Sequence, residues 1–164
     1  MMAIFRVEWR PDGVAHLVMD DPSRKLNVLT EAAFGDLEAA LAELETRTDV
    51  RGVVLRSGKD GSFIAGADID AIGSITDAAT ATALVKRAHA AFSRLAALRV
   101  PTVAAIEGAC LGGGLEIALA CDSRVAAEER AQLGLPETML GIFPAFGGTT
   151  RLARLVGLSA ACDL

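Results

Sequence analysis

Residues 106–148 read IEGACLGGGLEIALACDSRVAAEERAQLGLPETMLGIFPAFGG, and the feature that organises them is a run of three glycines at 112–114. Glycine is costly in a regular element, so three together indicate close packing or backbone N–H groups that must reach a ligand. An apolar run at 115–120 follows at once and predicts a helix. Because unpaired N–H groups at a helix N-terminus favour negative charge, the triplet predicts a place that stabilises an anion.

Two glutamates flank this predicted anion site. Glu116 follows the glycines by two positions, and Glu137 lies in the turn formed by residues 135–137. Carboxylates beside backbone donors are the arrangement that polarises a carbonyl group while protons move next to it. A plainer interpretation stays open, in which a glycine-rich helix start is followed by two ordinary surface glutamates.

The composition of the 164 residues limits the classes of function. A chain that is 52% hydrophobic is too apolar to be disordered, and a net charge of −5 gives no support for nucleic-acid binding. The sequence has no run of 18 uncharged apolar residues, so no membrane span is expected. Charged residues at positions 6, 8, 10 and 12 argue against a secretory signal peptide. We therefore expect a single domain, 1–164, in the cytoplasm, without a nucleic-acid or membrane partner.

The cysteines and histidines do not form a pattern typical of metal or nucleophile chemistry. Cys110, Cys121 and Cys162 are odd in number and lack CxxC spacing, so we expect reduced, buried side chains without a disulfide. His16 falls in a predicted strand and His89 in a predicted helix, each without an obvious partner. We interpret both as structural, which disfavours zinc sites and nucleophile–histidine enzymes.

Predicted strands and helices alternate along the chain, which indicates an α/β domain. A turn at 11–13 (Pro-Asp-Gly) predicts that the first two strands form a hairpin. Strands are predicted at 3–9, 14–19, 53–55, 102–106, 122–126 and 131–133, and residues 63–68 are predicted to form a strand that runs into a turn. Helices are predicted at 30–46 (with Thr30 as N-cap), after Asp68, and at 77–98, 115–120, 149–156 and 159–164.

Two stretches resemble the signatures of the enoyl-CoA hydratase (crotonase) superfamily, namely 63–69 (FIAGADI) and 108–116 (GACLGGGLE). Residues 135–137, 141–144 and 147–148 resemble the segment that follows in its hydratases. The resemblance covers essentially the whole chain and is closest to the hydratase part of multifunctional fatty-acid oxidation proteins. It implies a crotonase-like spiral of ββα units with helices outside, truncated here before the C-terminal helices of that fold.

The resemblance also implies a reaction, in which water adds reversibly to a trans-2-enoyl-CoA in fatty-acid β-oxidation to give a 3-hydroxyacyl-CoA. The N–H groups of Ala67 and Gly113 would form the oxyanion hole, and Glu116 and Glu137 would hold one water and act as acid and base. Which glutamate is the acid stays open, because two close carboxylates share protons as a pair. No metal and no separate cofactor is implied, since coenzyme A is part of the substrate. Contacts with the substrate are implied for Lys25, Ala65, Asp68, Ile69, Gly112 and Pro144, with Lys59 as a weaker candidate.

Two other functions stay open. One is an enoyl-CoA isomerase of the same superfamily, which needs a single glutamate to shuttle a proton. The other is a non-catalytic acyl-CoA-binding fragment. The hydratase interpretation is favoured because both glutamates are present, whereas other members of the superfamily commonly lack one or both.

The chain departs from the family pattern at two places. Residues 144–148 read PAFGG, so Ala145 stands where hydratases usually have glycine. If this position needs a positive φ, alanine would be strained, but if only its N–H is needed, alanine suffices. The family domain also continues beyond the equivalent of residue 164 with helices that close the acyl pocket and help to build trimers. We therefore expect a homo-oligomer or part of a multifunctional oxidation complex. Alone, the 164 residues should self-associate through exposed apolar surface and show little hydratase activity.

Overall fold

A computed structural model describes residues 3–163. The strands are β1 (Phe5–Trp9), β2 (Val14–Met19), β3 (Gly52–Ser57), β4 (Ser62–Ile64), β5 (Thr102–Ile106), β6 (Ala109–Leu111), β7 (Ser123–Ala126) and β8 (Gln132–Gly134). The helices are α1 (Glu31–Thr46), α2 (Ile69–Gly73), α3 (Ala78–Ala96), α4 (Gly113–Leu119), α5 (Gly148–Val156) and α6 (Leu158–Cys162), with a 3₁₀ helix at Pro136–Leu140.

The strands form two sheets that the chain visits in turn. The larger sheet has the order β1-β2-β3-β5-β7, and the smaller one has the order β4-β6-β8. Only the β1–β2 hairpin is antiparallel in these pairings; the others are parallel. From β3 onwards, each strand of the larger sheet is followed by a strand of the smaller sheet and then by a helix. This repeat is a spiral of ββα units, as the sequence resemblance implied.

Helix α1 begins and packs as the sequence predicts. The Thr30 side chain accepts a hydrogen bond from the N–H of Ala33, which satisfies one of the free donors of the first turn. Phe34, Leu37 and Leu41 recur at helical spacing and are buried against the sheet core. Full burial of each such side chain contributes roughly 1.5–3 kcal/mol to folding.

Helix α3 carries a second anchor of the core. Asp77 caps it by accepting a hydrogen bond from the N–H of Thr80. The Phe92 ring lies with its centroid 6.2 Å from that of Phe34 on α1 and 6.1 Å from that of Phe146, the latter pair edge to face. These three rings tie the loop before α5 to both long helices.

The structure corrects the predicted start of α4. The helix begins at Gly113, not at residue 115, so two of the three glycines lie inside its first turn. A Cβ at Gly114 would lie 2.1 Å from the carbonyl oxygen of Ile64 on β4. Glycine is therefore required here for close packing of α4 on the smaller sheet.

Two further differences concern short elements. Strand β6 was not predicted, because its three residues are held by pairing with β4 and β8, which are distant in sequence. Cys110 and Cys121 are buried as expected, but Cys162 is exposed, because Ala161 is the residue of α6 that packs against the core. The predicted helix at 159–164 is observed as α6; Leu164 lies outside the described residues.

Candidate active site

A cavity of about 770 Å³ opens beside the first turn of α4. Its wall includes both glutamates, residues 65–67 after β4, and Gly112 and Gly113. The two glycine turns and the two carboxylates that the sequence singles out therefore meet at one cavity. Most of the remaining wall is apolar and comes from α2, α3, the end of the 3₁₀ helix and the segment after it, including Ile72, Leu84, Val85, Leu140, Ile142 and Phe143.

Glu116 lies on α4 with only 1% of its surface exposed. Its Oε1 accepts hydrogen bonds from the N–H groups of Phe146 at 2.8 Å and Gly148 at 2.7 Å. Burial raises the pKa of Glu116 to about 7, the nearby Glu137 charge adds to the rise, and the two N–H bonds oppose it. A carboxyl group with a pKa near neutrality can both accept and release a proton at physiological pH.

Glu137 lies in the 3₁₀ helix, beside the glycine turn. Its carboxylate packs against Gly112, where a Cβ would lie 3.0 Å from Oε1. Its Oε2 is buried and has no hydrogen-bond partner within the part of the chain that the structure describes. Burial also raises the pKa of Glu137. An unpaired buried oxygen at a cavity wall is suited to a ligand or water that can donate a hydrogen bond.

Two backbone N–H groups on the cavity wall are free of protein partners among residues 3–163. Ala67 follows β4 in a short bridge with Leu29: the Leu29 N–H donates to the Gly66 carbonyl at 2.9 Å, and the Asp68 N–H donates to the Leu29 carbonyl at 3.3 Å. The Ala67 N–H takes no part in this bridge. The second group is the N–H of Gly113, the first residue of α4. Both residues line the cavity, where free N–H groups are suited to an acceptor on a bound ligand.

The other residues implied by the resemblance are divided between the cavity and its surroundings. Ala65, Ile69 and Gly112 line the cavity, whereas Pro144 is buried outside its wall. Asp68 also lies outside the wall: it accepts a hydrogen bond from the Ala71 N–H and forms a 2.8 Å ion pair with Arg24.

The two lysines have different surroundings. Lys25 is exposed in the loop that precedes Leu29, outside the cavity wall. Lys59 pairs with the Asp20 carboxylate at 3.2 Å and donates to the Asp21 carbonyl at 2.7 Å. The ammonium group of Lys59 therefore already has structural partners.

The backbone at Ala145 is not strained. No non-glycine residue in the described range has a positive φ, so alanine fits the backbone at this position. Its carbonyl oxygen lies 2.6 Å from Nε2 of His89.

His89 is interpreted as structural from the sequence, but it lies in the cavity wall. It lines the cavity from α3, and its contact with Ala145 spans 56 positions, so no local pattern could reveal it. His16, by contrast, lies away from the cavity and accepts a hydrogen bond from Arg56 at 3.1 Å. Among the described residues, no group of three or more His, Cys, Asp or Glu side chains could hold a metal ion. Within residues 3–163, each helix is too short or too polar to span a membrane.

The chain is similar to a known protein family and to curated proteins. Residues 10–164 match the family described as enoyl-CoA hydratase/isomerase. The chain is 48% identical over 166 residues to the fatty acid oxidation complex subunit alpha of Shewanella sp. (strain W3-18-1), and 48% identical over 162 residues to that of Shewanella oneidensis. These alignments cover 100% and 98% of the chain but only 23% of each relative.

Solved structures share the fold at lower identity. An enoyl-CoA hydratase from Bacillus anthracis aligns with a TM-score of 0.89 and 34% identity, covering 98% of this chain and 61% of that one. An enoyl-CoA hydratase from Thermoplasma volcanium aligns with a TM-score of 0.91 and 31% identity, covering 99% and 63%. The chain thus spans less than two thirds of these structures.

Proposed function

The chain belongs to the enoyl-CoA hydratase/isomerase family, and we propose that it carries the site of an enoyl-CoA hydratase, which adds water reversibly to a trans-2-enoyl-CoA to give a 3-hydroxyacyl-CoA. One observation supports this most strongly. Two unpaired backbone N–H groups, the buried carboxyl group of Glu116 and the half-buried carboxylate of Glu137 share the wall of a single, largely apolar cavity.

The backbone donors would bind the thioester oxygen. When water attacks Cβ of the enoyl group, negative charge moves through the conjugated system onto this oxygen. The N–H groups of Ala67 and Gly113 would stabilise that charge without rearranging, because β4, the Leu29 bridge and α4 already hold them. Loss of one such donor typically costs about 100- to 1,000-fold in rate.

The carboxylates would move the protons. One glutamate removes a proton from the attacking water as the O–Cβ bond forms, and the other delivers a proton to Cα as the enolate collapses, so the alkene gains H and OH overall. Glu116 and Glu137 both border the cavity, and burial raises the pKa of each, as proton transfer near neutral pH requires. The two groups titrate as a coupled pair, so the roles belong to the pair.

The apolar wall would hold the acyl chain. A cavity of about 770 Å³ lies within the usual range for small-molecule sites, and α3 contributes Leu84 and Val85 to its apolar side. Lys25 lies in the loop that leads to the Leu29 bridge, so its exposed ammonium is our candidate contact for the phosphates of coenzyme A.

A comparison of two substrates tests the reaction type. We expect the protein, at its natural length, to convert a trans-2-enoyl-CoA to the 3-hydroxyacyl-CoA and to leave a 3-enoyl-CoA largely unchanged. Rapid interconversion of the 3-enoyl and 2-enoyl isomers without hydration would instead identify an isomerase that uses one glutamate. Tight acyl-CoA binding without turnover of either substrate would identify a binding protein.

We also propose that the protein works within a fatty-acid oxidation assembly in the cytoplasm. The support is the likeness to proteins named as alpha subunits of a fatty acid oxidation complex. Affinity purification from the native cell should recover it with other activities of fatty-acid oxidation, on the same chain or on a second one. Recovery as a lone protein without these activities would contradict the proposal.

A further inference from the structure

His89 contacts the loop that holds Glu116. It lies on the cavity side of α3, and its Nε2 is 2.6 Å from the carbonyl oxygen of Ala145. A carbonyl oxygen can only accept a hydrogen bond, so Nε2 carries a proton and donates it. The contact therefore links the acyl side of the cavity to the backbone beside the acid–base site.

A single peptide group joins His89 to Glu116. The carbonyl oxygen of the Ala145–Phe146 peptide accepts the hydrogen bond from His89, and the N–H of the same peptide donates to Glu116 Oε1 at 2.8 Å. Because a peptide group is planar, fixing its oxygen also fixes the direction of its N–H. Hydrogen bonds in series polarise one another, so donation by His89 strengthens the donor that Glu116 receives.

We propose that His89 is a positioning residue that orients Glu116 through the Ala145–Phe146 peptide. The inference rests on the proposed function, since it assigns His89 a part in placing one of the two carboxylates. Phe92, one turn further along α3, packs its ring on that of Phe146 and holds the same loop from the core side. The loop is thus held by an apolar contact in the core and a polar contact at the cavity.

The pKa of Glu116 should rise when His89 is replaced, because of the groups that act on this carboxyl group. Glu137 raises the pKa of Glu116 and Arg151 on α5 lowers it, and neither is altered when His89 is replaced. The N–H bond from Phe146 also lowers the pKa of Glu116. Weakening that bond should therefore raise the pKa of Glu116 further.

Three variants of the protein at its natural length test the proposal by kinetics. His89→Leu removes the donor, His89→Gln keeps an N–H donor at similar reach, and Ser93→Ala alters an exposed position on α3 outside the cavity wall. For hydration, we expect kcat to fall about 3- to 10-fold in His89→Leu, the range for one hydrogen bond, with KM changed by less than about twofold. His89→Gln and Ser93→Ala should stay within about twofold of the parent.

A titration of the Glu116 carboxyl by carbon-13 NMR, without substrate, gives a second readout that does not depend on the reaction. Its midpoint should move to higher pH in His89→Leu and stay near the parent value in His89→Gln. Unchanged kcat and midpoint in His89→Leu, equal losses in both variants, or a rise in KM alone would each overturn the proposal. A parent protein that fails to hydrate while the midpoint still moves would refute the proposed function and support the positioning contact.

Discussion

Glu116 is ionisable and almost completely buried, so its raised pKa makes the free energy of unfolding depend on pH. Burial raises that pKa to about 7, well above the value of about 4.3 expected in an unfolded chain. The unfolded state therefore releases the proton first as pH rises. The contribution of protonated Glu116 to the free energy of unfolding is fully present below the pKa that this group has in the unfolded chain. It is lost as pH rises towards and through 7.

Replacing Glu116 with glutamine should stabilise the protein at high pH. Glutamine keeps an oxygen that can accept the Phe146 and Gly148 N–H bonds, but it carries no charge to desolvate. We expect the free energy of unfolding of Glu116→Gln, relative to the parent, to increase by about 2–3 kcal/mol between pH 5 and pH 8. Urea unfolding at both pH values measures this. A constant difference between the two proteins would show that Glu116 is not held with a raised pKa.

Among the strands and helices, the sequence predicts those features that residues close together in the chain determine. Thr30 caps α1, and the turn at 11–13 joins β1 and β2 as a hairpin, because each depends on residues a few positions away. Strand β6 and the first turn of α4 depend on distant partners, so their limits could not be predicted. The carboxylates were recognisable as candidates from their glycine-rich surroundings, whereas the contact of His89 is with a backbone carbonyl that has no signature in the sequence.

The glycine at the start of α5, Gly148, leaves the space that the Glu116 side chain occupies. A Cβ at Gly148 would lie 2.9 Å from both Cγ and Oε1 of Glu116, so Gly148→Ala should displace the carboxylate. We expect hydration to fall at least about 10-fold, since small misplacements of catalytic groups are costly. The matched control is Gly73→Ala at the end of α2, where a Cβ has no neighbour within 4 Å.

These two alanine variants are compared by steady-state kinetics and thermal unfolding. Gly73→Ala should keep parent activity and be equally or slightly more stable, because alanine favours the helix. Parent activity in Gly148→Ala would mean that the loop relaxes without moving Glu116, and the assigned geometry would be wrong.

At the scale of the whole molecule, the spiral leaves an apolar segment exposed beside the cavity. Met139 is 86% exposed, Leu140 53% and Phe143 68%, and the latter two also line the cavity. Exposed apolar side chains grouped in this way are typical of surfaces that are covered in an assembly.

The 164-residue chain should therefore self-associate. Sedimentation at increasing concentration is expected to show species larger than the monomer, and Phe143→Ser should shift the equilibrium towards the monomer. An exposed change elsewhere, Ser93→Ala on α3, serves as the control and should leave the distribution unchanged. A monomer at all concentrations would contradict this expectation.

Hydration is tested most directly by following the atoms of water into the product. The protein at its natural length is incubated with a trans-2-enoyl-CoA in water enriched in oxygen-18 and deuterium, and the product is analysed by mass spectrometry. We predict one oxygen-18 at Cβ and one deuterium at Cα, with Glu116→Gln and Glu137→Gln each slowing incorporation at least ~100-fold while acyl-CoA still binds. Undiminished incorporation by either variant, or deuterium at Cα without oxygen-18 at Cβ, would contradict hydration by this pair of carboxylates.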